Sequence, residues 1–296
     1  NGPRQNSDSY EALNKGLTTL QPDAYLYESG NSLKALAVKK GQIVVANEKG
    51  NISILKKWDD ELKPQTTINL KKTQLLSVNY SDNNRYLAAG SYEGNLAIWN
   101  NNGLTMKSKP IINTPYGKPI LNILPASNSA FIIQTNDKVY IENIKNKSLK
   151  RVETLSYFNI KDIQITKNRA FLLVASQSKV IIHTLNKDLS LGEKQVITLR
   201  KPITKIAISG DNKYLAAGFE DGQVAIIELD GNQKVISTDY ELMHQTQISG
   251  LAFYKFDDFL QFASSSYDNT AQLFDVTNRN RTDIQEDKIT LKGHQK

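Results

Sequence analysis

The sequence predicts an all-β chain made of repeated antiparallel units, and three observations carry that prediction. One motif recurs: a run of small or apolar residues, a tight polar turn, then an alternating apolar strand. It reads ANEKGNISILKKW from Ala46 to Trp58, GSYEGNLAIWN from Gly90 to Asn100, GFEDGQVAIIEL from Gly218 to Leu229 and SSSYDNTAQLFDV from Ser264 to Val276. The residues that close the turns, Gly50, Gly94, Asp137, Ser178, Gly222 and Asn269, are separated by 44, 43, 41, 44 and 47 residues. A period-two strand precedes each turn-and-strand motif, as a half-buried strand requires. A unit of this length fits a four-stranded antiparallel blade, so the six visible units predict a β-propeller of six or seven blades.

The elements follow in order. Residues 1–22 read as a short N-terminal helical segment: Ser7 or Asp8 can cap it, and Tyr10, Leu13, Leu17 and Leu20 share one face. Residues 23–296 form the propeller, with Asp23–Ser29 as a candidate closing strand. Blades fall at about 31–71, 72–117, 118–157, 158–200, 201–244 and 245–296. Inner strands read SLKALAV, LLSVNYS, ILNILPA, IKDIQIT, ITKIAIS and ISGLAFY. Second strands, such as YLAAGS and AFLLVA, are nearly continuous apolar runs, which suits strands covered on both faces by neighbouring blades. The turns SDNNR and SGDNK join first to second strands. Gly94 and Gly222 supply positive φ in the next turn, and Asn269 tolerates it. Trp99, Ile227 and Phe274 end third strands, where large apolar groups wedge between blades.

These residues resemble WD40 repeats, whose blades carry Gly-His before the first strand and Trp-Asp after the third. The resemblance covers about Asp23 to Lys296 and is best in the sixth unit. There His244 precedes Ile248, although Met243 replaces the glycine, and Phe274-Asp275 stand where Trp-Asp would be. The resemblance implies a structural hydrogen-bond network of His244, Ser264 and Asp268, since a buried histidine and carboxylate need partners. Unit two keeps Trp99 but has Glu93 for the aspartate, and unit five keeps Asp221 without histidine or tryptophan. Units three and four keep only the hydrophobic pattern, with Glu142 and His183 near the tryptophan slot. Leu291–His294 reads LKGH, which in this family announces a further repeat. The N-terminal segment resembles the helix that precedes such propellers in large bacterial multidomain proteins. A bacterial source and a longer parent protein are therefore expected.

Composition excludes several function classes. The chain has 296 residues and no cysteine, so it has no disulfide, thiolate metal site or thiol nucleophile. Mean hydropathy is −0.45, and no apolar run approaches the roughly 18 residues of a membrane helix. Nothing here fixes a cytoplasmic or periplasmic location. The net charge of +7 comes largely from lysines, including the doublets Lys39-Lys40, Lys56-Lys57 and Lys71-Lys72. They read as solubilising and edge-protecting residues. Without clustered arginines and aromatics they do not point to nucleic acid.

No catalytic motif appears: no HExxH, Walker loop, GxGxxG or GxSxG is present. The three histidines, His183, His244 and His294, fall at structural or strand-end positions. The expectation is no catalytic residue, no metal ligand and no cofactor. The resemblance implies a noncatalytic scaffold for protein partners, working through the face formed by the loops before first strands and between second and third strands. Tyr92, Glu220 and Tyr267 are its candidate contact residues. A sensor or regulatory domain of a larger protein is the alternative, and a propeller glycosidase built on paired carboxylates is a distant third.

Overall fold

The computed structural model describes residues 31–39, 42–58, 61–71, 73–256, 259–276 and 289–292. The N-terminal helical segment and the candidate closing strand Asp23–Ser29 lie outside the described residues.

Six four-stranded sheets follow one another along the chain, each a meander in which sequential strands pair antiparallel. Blade 1 comprises β1 (Leu33–Lys39), β2 (Gln42–Asn47), β3 (Asn51–Trp58) and β4 (Glu61–Asn69). Blade 2 comprises β5 (Leu75–Tyr80), β6 (Tyr86–Ser91), β7 (Asn95–Asn100) and β8 (Ile112–Pro115). Blade 3 has β9 (Asn122–Ser127), β10 (Ala130–Gln134), β11 (Lys138–Lys145) and β12 (Ser148–Ser156). Blade 4 has β13 (Ile160–Ile165), β14 (Phe171–Ser176), β15 (Lys179–Leu185) and β16 (Leu191–Thr198). Blade 5 contains β17 (Ile203–Ile208), β18 (Tyr214–Phe219), β19 (Gln223–Leu229) and β20 (Val235–Leu242). Blade 6 contains β21 (Ile248–Phe256), β22 (Phe259–Ser266), β23 (Thr270–Asp275) and β24 (Ile289–Lys292). The described residues thus form an all-β propeller of six blades, where the repeat period predicts six or seven.

The core is divided among the blade interfaces. Alternation along each strand sends successive side chains to opposite neighbours. On β6, Leu87 and Ala89 enter the core shared with blade 1, while Ala88 enters the core shared with blade 3. That two-sided demand explains why second strands are apolar throughout. Three further clusters join blades 3 and 4, 4 and 5, and 5 and 6.

Polar staples reinforce these cores. Ser77 Oγ donates to the Ile120 carbonyl at 3.0 Å, Gln134 Nε2 to that of Ile160 at 3.4 Å, and Thr204 Oγ1 to that of Ile248 at 3.0 Å. Ile160 and Ile248 stand at the head of the next blade's inner strand, and Ile120 just before it. Close approach there demands a missing side chain. A Cβ on Gly218 would lie 2.5 Å from Ile248 Cγ2, and one on Gly90 would lie 2.4 Å from Ile120 Cγ2.

The turns follow their residues. Gly94 and Gly222 have φ of 83°, and Asn269 has φ of 66°, so all three occupy the left-handed region. Trp99 is fully buried in the core between blades 1 and 2, and its Nε1 donates to the Ser108 carbonyl at 3.3 Å.

Blade 1 differs from the others on one face. Leu36 and Val38 occupy the register positions of Val78 and Tyr80, which are buried against the preceding blade. In blade 1 they are 65% and 59% exposed. Among the described residues, no hydrophobic cluster joins blade 6 to blade 1.

Candidate interaction face and its turn network

In a four-stranded meander the turn between second and third strands lies at the same end as the loop leading to the next blade. Those loops therefore build one face, here the upper face. His244 sits in the loop after β20. Its Nε2 is 2.9 Å from Ser264 Oγ, and its Nδ1 is 3.1 Å from Asp268 Oδ2 and 2.9 Å from Thr270 Oγ1. The structure thus brings together His244, Ser264 and Asp268 and adds Thr270. Asp268 also accepts from the Gln245 and Thr270 backbone N–H groups at 3.0 and 2.9 Å. Burial pulls its pKa upward, but the Thr270 hydroxyl, the two N–H groups and His244 outweigh it and hold the carboxyl at about 2. The side chains of Phe274 and Asp275 lie outside the described residues.

Carboxylates in the equivalent turns of other blades are satisfied differently. Asp137 is met by Lys118 Nζ at 2.6 Å, and Asp221 is met by Lys201. Each lysine comes from the loop preceding its blade, where His244 stands in the sixth. The lysine hydrogen bond is the largest influence on either carboxyl and holds it below its ordinary value. Glu93 instead accepts from the Gln74 backbone at 3.3 Å. Sequence reasoning missed these lysine pairs, which replace the histidine in worn repeats.

The tryptophan slot is also refilled by polar groups. In blade 3 it holds buried Glu142, which accepts from Tyr116 Oη at 2.9 Å and from Arg151 Nε at 2.8 Å. In blade 4 it holds His183, 2.7 Å from Tyr157 Oη. Burial, and then the charge of Lys194, push the pKa of His183 down, which favours the neutral ring.

The upper face presents large side chains on fixed backbone. Tyr92 is 58% exposed, while its N–H donates to the Gln74 carbonyl at 2.8 Å. Tyr267 is 69% exposed, with its N–H on the Gln247 carbonyl at 3.1 Å. Glu220 is exposed in the corresponding turn of blade 5. Phe158 is 75% exposed in the loop leading to blade 4, and its carbonyl accepts from Ser176 Oγ at 2.6 Å. Sequence reasoning missed Phe158. The aromatic groups thus come from the turns of blades 2 and 6 and from the loop before blade 4. They are spread around the ring.

The described residues contain no group of three or more His, Asp or Glu side chains able to hold a metal ion. No helix among them is long and apolar enough to cross a membrane. A hollow of ≈500 Å³ lies on the outer rim between β16 and β20, lined by Val196, Arg200 and Tyr240 among others. Through Leu199 and Arg200 it reaches the β16–β17 loop.

Comparison with known proteins agrees with this architecture. The family described as WD40, "WD domain, G-beta repeat", matches residues 62–100, 193–228 and 237–275. An uncharacterized WD repeat-containing protein of Schizosaccharomyces pombe is 22% identical over 275 residues, covering 80% of this chain and 45% of its own length. The matched chain therefore spans less than half of that relative. The relative is a yeast protein and lends no support to a bacterial source.

Proposed function

Because the chain belongs to the WD40 β-propeller family, we propose that it is a noncatalytic scaffold that binds protein partners through its upper face. One observation carries this reading: Tyr92, Phe158 and Tyr267 are all strongly exposed on one face, each held by backbone or carbonyl hydrogen bonds. Tyrosine and other aromatic groups are enriched at binding hot spots because they bury much area at small entropy cost. A pre-ordered backbone lowers the entropy cost of binding further. Glu220 adds a charged contact point on the same face. The test is affinity capture with Tyr92→Ala combined with Tyr267→Ala. The proposal expects loss of at least one partner that the unaltered protein retains. Equal capture of every partner by both proteins rejects this face.

The greater length of the yeast relative favours a second reading, in which the propeller is the regulatory part of a larger protein. The full open reading frame tests it: an additional signalling or enzymatic domain in the same polypeptide supports it, and a propeller alone rejects it.

A further inference from the structure

The inner strands of blades 1 to 5 line a central cavity of ≈270 Å³. That is just below the range of about 300–1,000 Å³ typical of drug-sized ligands, so any occupant is small. Three lysines contribute to its wall: Lys34 from β1, Lys161 from β13 and Lys205 from β17. Their placement has a local cause. The register of β1 with β2 skips Lys34, and that of β13 with β14 skips Lys161. Lys34 and Lys161 are thus the extra residues of β-bulges, a device that re-aims a side chain, whereas Lys205 stays in register with Gly218.

The cavity's one carboxylate, Asp162, interacts with the charge of Lys205, so Lys34 and Lys161 are the lysines it leaves without a close acidic partner. Asp162 is buried, and its oxygens already accept from the backbone N–H groups of Ile163 at 3.0 Å and Ile206 at 3.1 Å. Lys34 has one distant partner, Glu48 at 3.9 Å, and Lys161 forms no ion pair among the described residues. Leu36 and Leu121 share the wall with the polar residues Ser77, Asn79, Asn122 and Gln134.

The far end of the channel is bridged. Arg169 from the β13–β14 turn pairs with Asp82 from the β5–β6 turn, and Lys39 of β1 lies 3.6 Å from the same carboxylate. The Asp82 N–H donates to the Ser127 carbonyl at 3.3 Å, tying in blade 3. This bridge lies at the end opposite the turns that carry Tyr92 and Tyr267.

We propose that this cavity is a binding site for a compact multivalent oxyanion, held by the ammonium groups of Lys34, Lys161 and Lys205. The site stands independently of the protein-binding reading, because it rests on the channel wall and not on the exposed aromatics.

Isothermal titration calorimetry of the full chain with inorganic tripolyphosphate tests it. A saturable one-to-one isotherm is expected, weakening as salt rises. Lys34→Gln with Lys161→Gln should weaken binding at least about tenfold. The same charge change on the rim of blade 3, Lys145→Gln with Lys150→Gln, should leave affinity within about twofold. That control matters because a net charge of +7 attracts anions without any site. Lys161→Arg, which keeps the charge, should retain binding and guards against misreading a folding defect. No saturable binding, or equal loss in the channel and rim variants, overturns the proposal.

Discussion

Replacing Asp268 by Asn should remove a pH-dependent part of the propeller's stability. In the folded chain the Asp268 carboxyl is held at about 2, against an ordinary value of 3.8. A depressed carboxylate stabilises the fold fully above its unfolded value, and that contribution is lost as pH falls through the folded one. At about 1.4 kcal/mol per pKa unit, a shift of nearly two units is worth about 2 kcal/mol. The side chain is only 10% exposed, so solvent screening removes little of it. Urea unfolding followed by tryptophan fluorescence reads this directly, because Trp99 is fully buried. Other carboxylates are also depressed, so the informative quantity is the difference between unaltered protein and Asp268→Asn. That difference should shrink by about 2 kcal/mol between pH 6 and pH 2. A difference that stays constant across that range refutes the view that the Asp268 charge is held by its turn network.

Two further predictions concern packing between blades. Gly218→Ala places a Cβ 2.5 Å from Ile248 Cγ2, so it should cost about 1–3 kcal/mol, the usual range for overpacking. The cost should fall in an Ile248→Ala background, and equal costs in both backgrounds would show that the contact is not the cause. Trp99→Ala empties a fully buried slot and should cost about 3–5 kcal/mol, read as a lowered urea midpoint; a change below about 1 kcal/mol would contradict the wedge role given to this side chain.

The architecture was legible because each repeat carries two independent signals. Period-two apolar strands mark the blade faces, and Gly94, Gly222 and Asn269 mark turns whose positive φ few residues tolerate. The polar turn contacts were legible only where the side chains kept the family's types. His244 and Asp268 stand out as an unusual pair, whereas Lys118 and Lys201 look like ordinary surface lysines until the fold sets them against Asp137 and Asp221. Phe158 was hidden for a different reason. It follows Tyr157, whose hydroxyl turns inward to His183, and the short loop leaves its neighbour facing solvent. A large apolar residue in an unsigned loop reads as core until its partner's direction is known. Lys34 and Lys161 in the channel were hidden by the bulges, which break the alternation that assigns side chains to faces. Such a bulge shifts register by one residue and leaves no composition signal.

The most direct test of the proposed interaction face is site-specific photo-crosslinking. A photoreactive side chain is placed in turn at Tyr92, Phe158 and Tyr267, and at Val196 and Val235 on the outer rim as controls. The scaffold reading predicts that one protein partner crosslinks from the three upper-face positions and not from the rim. Crosslinks to that partner from the rim positions alone would contradict it.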